Sequence, residues 1–336
     1  MDNTELLRSR VILEKDHVNN VSSSDFPGVH PGYDDSFQLE TFKKNLKVKI
    51  WRVSPTEMEF DLVGVDASIA NAFRRILISE VPTMAVEHVY FMNNTSVIQD
   101  EVLAHRLGLV PIKANPNSFE FKKANDSPTD LNTLVFKLHI KCEFDPQDDS
   151  KYINEKVYSN ALVWDPKGDQ AERFAEDPVR PVFDDILLAK LRPGQEIEAE
   201  LHCEKGIGKD HAKYSPVSTA SYRLLPEIIV QKDITGELAD KFAACFPPGV
   251  VEIVEKKGVR KAVVVNPRKD TVSREVLRHA EFRDIVKLTR VRDHFIFNIE
   301  STGIMTPPEL FIQSVQALLN KCKVVKQALA NINQSK

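Results

Sequence analysis

Gly206-Ile207-Gly208-Lys209 is the stretch of this 336-residue chain that looks most like a phosphate cradle. A Walker loop needs a glycine at position 203 and a metal-holding hydroxyl at position 210, and those positions carry Cys203 and Asp210. A dinucleotide loop needs a third glycine at position 211, which is His211. The stretch therefore reads as a turn after a strand. Asp184-Asp185 reads as a turn or cap rather than an acid-base pair, because adjacent side chains diverge on either a strand or a helix and no companion acidic motif follows. The nine histidines form no HxH or HExxH arrangement, and His105 sits on a short amphipathic segment where a structural hydrogen bond is its expected role. Cys142, Cys203, Cys245 and Cys322 include no Cys-x-x-Cys element and read as buried free thiols. No nucleophile with its base and no metal cluster assembles, so the chain reads as lacking catalytic residues, metal and cofactor.

Bulk properties bound the class of protein. The length favours two domains. A 42% apolar and 28% charged composition without a long uncharged apolar window reads as a soluble protein. The opening residues MDNTELLRSRVILEKD carry charges throughout, so a secretory signal is not expected. A formal charge of -4 gives no global attraction to phosphate backbones. The basic runs Lys256 to Lys269 and Lys287 to Arg292 interleave with valines rather than stacking aromatics, and read as solvated strand faces or protein contacts.

The elements behind these residues follow from periodicity. Residues 1–45, rich in Ser, Asp, Asn, Pro and Gly, predict a flexible N-terminal arm. Val48 to Trp51 and Met58 to Leu62 predict a hairpin, since Met58, Phe60 and Leu62 alternate with Glu59 and Asp61. A helix follows from Ser68 to Glu80, capped by Asp66 or Ser68 and ended by Pro82. Its stripe of Ile69, Ala72, Phe73, Ile76 and Leu77 is widened by Ala70 and Ile78, more apolar surface than packing on one sheet requires. Gln99 to Leu107 predicts a short helix with Gly108 at its end. Leu134 to Cys142 and Ile197 to Cys203 alternate cleanly as sheet strands with one wet face, and 144–181 between them predicts loops with minor strand content. Thr306-Pro307-Pro308-Glu309 is a capping box with proline at the first helical position. Phe311, Val315, Leu318, Cys322, Val325 and Leu329 then follow at spacings of four and three. That seam is built to pack on another helix, within the chain or on a partner.

Asn71 to Ser79, ending at Val81-Pro82, resembles the first-helix signature of the alpha-subunit family of multisubunit RNA polymerases. Gln99 to Pro111, His211 to Pro216 and Ser301 to Glu309 resemble the same family in the same order, so that the resemblance spans about Phe42 to Val325. Leu187 to Gln195 and Ser218 to Pro226 are most similar to the larger alpha-like members shared by eukaryotic polymerases I and III. The polymerase II paralogue and some archaeal relatives carry a cysteine cluster, whereas Lys113 to Asn132 here contains no cysteine.

The resemblance implies an α+β fold in which a dimerisation domain of sheet plus two packed helices is interrupted by an inserted, mainly β domain. Residues 46–84 and 220–336 would form the discontinuous dimerisation domain and 85–219 the insert. It further implies a non-catalytic scaffold and assembly subunit that heterodimerises with a smaller alpha-like subunit. That pair would nucleate the second-largest and largest subunits of polymerases I and III, with small adaptor subunits, for synthesis of ribosomal RNA precursor, 5S RNA and tRNA. No direct sequence-specific DNA contact and no membrane association are expected, and the implied location is the nucleus, including the nucleolus, with assembly beginning in the cytoplasm. On this basis Ile69, Ala72, Phe73, Ile76, Leu77, Phe311, Val315, Leu318, Cys322 and Val325 are heterodimer-interface candidates. Asn71, Arg74, Arg75, His105 and Arg106 are candidates for contact with other subunits. The alternatives are the equivalent subunit of polymerase II or of an archaeal enzyme, and a stand-alone enzyme of unrecognised class.

Overall fold

The computed structural model describes residues 3–22, 28–34, 36–123, 125–256 and 258–334, and residues 23–27 of the expected arm lie outside these. The chain divides into two compact units. One comprises residues up to Arg52, Glu59–Ala72 and Ser221–Asn298; the other comprises Val53–Met58, Phe73–Ala220 and Ile299 onward.

In the first unit a six-stranded sheet runs in the order Val18–Asn19, Arg10–Leu13, Val286–Ser301, Glu57–Val63, Lys47–Val53, with Val217–Val230 also pairing with Val286–Ser301. The two strands at 47–53 and 57–63 are the expected hairpin. Met58, Phe60 and Leu62 are buried as the alternation requires, but Asp61 between them is buried too. Its carboxylate accepts from Trp51 Nε1 at 2.8 Å and from Arg268, and lies 3.0 Å from His294 Nε2. Arg268 also forks onto Glu59 and stands 4.7 Å over the Trp51 ring. A neighbouring aromatic and guanidinium thus replace the water that the alternation had assigned to Asp61.

The expectation of a flexible arm is corrected over its first part. Asn3–Ser9 is helical, and Arg10–Leu13 pairs antiparallel with the strand at 286–301, placing Leu13 opposite Leu288. Leu6, Val11 and Leu13 are buried, and Arg10 grips Glu227 through Nε at 2.6 Å. Arg292 is buried beneath the segment, donating to the carbonyls of Leu7, Arg8, Arg10 and Asn20 and to Ser22 Oγ at 2.7–3.2 Å. Composition points to disorder because the short local hairpin with Val18–Asn19 buries little by itself; the strand that completes it lies more than 270 positions away.

The second unit carries a four-stranded antiparallel sheet in the order Val163–Trp164, Thr133–Lys141, Glu196–Ile207, Pro82–Asn94. Leu134 faces Cys203 and Leu138 faces Ala199 across the central pair. The core beneath includes Met84, Leu103, Leu107, Phe136 and Leu201. The expected boundary at 84/85 is not where the chain divides, because strand Pro82–Asn94 runs through it and pairs from Pro82 to Asn94 with Glu196–Ile207. Residues 73–84 and the terminal helix accordingly group with the middle of the chain, whose continuous stretch runs from Phe73 to Ala220. The stretch 144–181 holds short strands and one helical turn at Gln170–Arg173, anchored by the buried Gln170 amide on the carbonyls of Asp130 and Thr133. Cys142, Cys203 and Cys245 are buried free thiols; Cys322 is exposed, against expectation, because its helix extends past the packed part of the chain. No helix among the described residues is long and apolar enough to cross a membrane.

Asp61 makes stability depend on pH in a definite direction. Burial pushes its carboxyl up, but the hydrogen bonds from Arg268 and Trp51, with His294 close by, outweigh burial and hold it below the usual carboxylate range. A folded-state pKa below the unfolded one stabilises above about pH 4 and is lost as pH falls through the folded value. Asp61→Asn is expected to lower the unfolding midpoint at neutral pH, with the gap to the parent closing below about pH 4. Thermal melts across that range check this, and a constant gap refutes it.

Candidate functional site

The arginine-bearing helix occupies Ala67–Ser79. Asp66 supplies the cap: its carboxylate accepts from Ser68 N at 3.0 Å and its carbonyl from Ala70 N at 3.2 Å. The helix closes where Glu80 N and Val81 N both donate to the Ile76 carbonyl, and Pro82 begins the next strand. Ile69, Asn71, Ala72, Phe73 and Arg74 are half-buried and Arg75 is exposed. Ile76 and Leu77 are already covered by their own chain, so of the first-helix stripe only Ile69, Ala72 and Phe73 retain surface.

Two glycines seat the end of this helix. A Cβ on Gly208 would lie 2.2 Å from the Ile78 carbonyl oxygen, and Lys209 N donates to the Ser79 carbonyl at 2.8 Å. A Cβ on Gly206 would enter the ring of Tyr214. The Gly-Ile-Gly-Lys stretch therefore has a packing function: bare backbone lets strand Glu196–Ile207 and the following turn approach both the helix and the tyrosine.

His211-Ala212-Lys213-Tyr214 forms the layer beside that strand. His211 Nδ1 caps the turn by accepting from Lys213 N at 3.1 Å, and its ring meets that of His105 edge-on at 6.1 Å. Lys213 Nζ reaches the Val86 carbonyl at 2.9 Å and Glu87 at 2.5 Å, while Tyr214 donates its hydroxyl to Glu87 at 2.7 Å. Burial raises the Glu87 carboxyl, yet the hydrogen bonds from Lys213 and Tyr214 leave it below its ordinary range. Burial and the Glu87 charge push the Tyr214 phenol well above its usual value, so it remains a donor. Arg106 forks onto the carbonyls of Leu187 and Leu188 at 2.6 and 3.0 Å, fixing strand Leu187–Lys190 on the short helix Asp100–Gly108. Its guanidinium is thus engaged within the chain, whereas His105 is exposed.

The terminal helix runs from Pro307 to Gln334, 28 residues or about 42 Å. One half of the capping box forms: Thr306 N donates to Glu309 Oε2 at 2.9 Å, and the Thr306 hydroxyl donates to the same oxygen at 2.8 Å. Leu310 and Ser314 are buried, and the Phe311 ring packs on Phe73 at 5.4 Å. The two helices identified from periodicity thus meet at this aromatic pair. Lys321 adds an ion pair to Glu80 at 2.6 Å. Beyond Ser314 the seam faces water: Val315 is 42% exposed, Val325 59% and Leu329 57%, with Leu318 half-buried and Cys322 exposed. Lys321, Cys322, Val325, Lys326 and Leu329 line a shallow apolar groove. Ile332 extends the same spacing, and Ile312 and Leu319, seven residues apart, form a second exposed apolar line beside the seam, missed by following one seam alone. Their signal was the number of apolar positions per turn, more than a single stripe accounts for.

Among the described residues the closest grouping of metal-type donors is His139, Glu196 and Glu198 on a wet sheet face. His139 Nε2 lies 2.8 Å from Glu196, which also accepts from Asn93, so His139 and Glu196 form a hydrogen-bonded pair at the surface.

The RNA polymerase Rpb3/Rpb11 dimerisation-domain family matches residues 59–322. The human protein described as DNA-directed RNA polymerases I and III subunit RPAC1 is 51% identical over 327 residues, covering 95% of this chain and 94% of its own length. The Saccharomyces cerevisiae protein of the same description is 53% identical over 325 residues, covering 94% and 96%. DNA-directed RNA polymerase II subunit rpb3 of Dictyostelium discoideum is 29% identical over 296 residues, covering 84% and 95%.

The glycine geometry gives a graded expectation. Gly208→Ala, which meets backbone, should destabilise by at least ~2 kcal/mol. Gly108→Ala, whose Cβ would find only ordinary contacts at 3.5 Å or more, should stay within about 1 kcal/mol of the parent. Denaturant titration measures both, and equal effects contradict the packing role.

Proposed function

The chain belongs to the RNA polymerase Rpb3/Rpb11 dimerisation-domain family, and from that premise we propose that it is the larger alpha-like subunit shared by RNA polymerases I and III, a structural subunit without catalytic residues of its own. The chain is similar to the human and yeast proteins of that description over nearly its whole length. Residues 113–132 contain no cysteine, unlike the paralogues that carry a cysteine cluster.

The observation that carries the finer reading is the terminal helix. Its first turns are held by the capping box and by Phe73, and its remaining apolar seam is left to water. A single partner helix or helix pair on Val315, Leu318, Cys322, Val325 and Leu329 removes that exposure, and the smaller alpha-like subunit is the partner proposed. Ile69, Ala72 and Phe73, half-buried on the helix Ala67–Ser79, are also proposed as partner-contact residues. Arg74 and Arg75 lie at the margin of that surface, where guanidinium forks suit carboxylates and carbonyls of the partner or of a large catalytic subunit. Asn71 and His105 remain contact candidates for the large subunits, and Arg106 serves them indirectly by positioning strand Leu187–Lys190. The resulting heterodimer is the platform on which the second-largest and largest subunits and the small adaptors assemble. In that assembly the subunit supports synthesis of ribosomal RNA precursor, 5S RNA and tRNA, in the nucleus and nucleolus, with assembly beginning in the cytoplasm. Residues 46–84 and 220–336 are proposed as its dimerisation domain and 85–219 as its insert.

Co-expression with the smaller alpha-like subunit and recovery through a tag on this chain tests the reading. Val325→Asp is expected to weaken the pair roughly 100-fold or more while leaving the chain's own thermal midpoint unchanged, because Val325 is exposed in the single chain. Undiminished recovery of the pair sinks the proposed interface.

A further inference from the structure

Most arginines of the first unit that make side-chain contacts fork onto carboxylates. Arg10 pairs with Glu227, Arg268 with Glu59 and Asp61, and Arg260 with Asp240. Arg292 departs from this habit beneath the N-terminal segment, and three others depart from it and lie together. Arg223 is on strand Val217–Val230, Arg290 is on the adjoining strand Val286–Ser301, and Arg274 follows the Asp270 turn beside them. None has a carboxylate at ion-pairing distance among the described residues.

The acceptors they do use are neutral. The Arg223 fork donates to the carbonyls of Arg268 at 2.8 Å and Asp270 at 3.3 Å. Arg274 donates to the carbonyl of Glu14 at 3.2 Å, from a left-handed backbone at φ 59°. Carbonyls orient a guanidinium without cancelling its charge. Arg290, opposite Val11 in the strand pairing, donates its side chain to no acceptor among the described residues, although it is half-buried. Asp270, the acidic group that faces them, is buried and turns its carboxylate back to accept from Val272 N at 3.0 Å. Burial and the charges of Arg274 and Arg223 all disfavour the Arg290 cation. Three guanidinium groups against one carboxylate leave a local excess of two positive charges.

We propose that Arg223, Arg274 and Arg290 form a receptor for a dianionic oxyanion of the phosphate-monoester class, with Arg290 as the fork that closes on it. Two of the three cations are oriented beforehand by carbonyls, and the third is a planar fork with unused donors, the geometry that binds a tetrahedral oxyanion bidentately. A compact excess of two charges matches a phosphate monoester or inorganic phosphate better than the singly charged, repeating diesters of a nucleic-acid strand, which require an extended basic track. The ligand is either free phosphate or a phosphorylated side chain of another subunit; both present the same group. The inference goes beyond the assembly role and stands independently of the terminal-helix interface.

The test is thermal melting and calorimetric titration of the full chain with inorganic phosphate, with O-phosphoserine and with a single-stranded RNA oligonucleotide, at ionic strength matched by chloride. In chloride alone Arg290→Gln is expected to melt at or above the parent temperature, because it removes a repelled, unpaired cation and no hydrogen bond. Added phosphate should raise the parent's midpoint and not that of Arg290→Gln, whose affinity falls roughly tenfold or more. Arg290→Lys should fall between the two, keeping the charge without the fork. Equal binding of phosphate and O-phosphoserine supports a free-anion site, and tighter O-phosphoserine binding supports a modified side chain as ligand. The proposal is overturned if Arg290→Gln responds to phosphate as the parent does, if chloride substitutes for phosphate, or if the oligonucleotide binds and the monoesters do not.

Discussion

A 28-residue helix that buries only its first turns is the constraint from which the rest of this account follows. Isolated helices are marginal in water, and most helical stability in proteins comes from burial of an apolar face. Here that burial within the chain stops near Ser314, after Leu310 and the Phe311 to Phe73 contact. Val315, Leu318, Cys322, Val325 and Leu329 then continue a strict four-and-three spacing into solvent. Full burial of a valine or leucine side chain is worth roughly 1.5–3 kcal/mol. Val315, Val325 and Leu329 still expose 42%, 59% and 57% of their surface in the single chain, so a partner that covers them gains about half of that at each position.

The second unit explains how such a helix is held without being covered. The capping box fixes its start, Phe73 fixes its rotation, and the Lys321 to Glu80 ion pair tethers its middle to the end of the arginine helix. That end is itself seated by the bare backbone of Gly208. Exposed ion pairs contribute little on their own, so packing at Phe73 and Phe311 is the main internal hold.

Local chemistry was legible in the sequence. The Thr306 to Glu309 box, the Asp66 cap, the stop at Pro82 and the alternating strands around Leu134 and Ile197 each depend on residues within a few positions of one another. What escaped depends on distant partners. Asp61 was assigned to water because nothing near it announces Arg268, and Arg10–Leu13 was assigned to a flexible arm because its strand partner and Arg292 lie at the far end of the chain. Of the candidate site, the seam was readable as a seam, but its division into a covered part through Phe311 and an uncovered part from Val315 was not, since periodicity gives a face and not its occupant. Ile76 and Leu77 illustrate the same limit, belonging to the stripe by spacing and to the chain's own interior by packing.

The most direct measurement is hydrogen exchange of the terminal helix in the single chain and in the complex with the smaller alpha-like subunit. The account predicts that amides from Val315 to Ile332 exchange far faster than those of Leu310 to Ser314 in the single chain, and become strongly protected in the complex. Uniform protection of the whole helix in the single chain, or no gain in protection on complex formation, would contradict it.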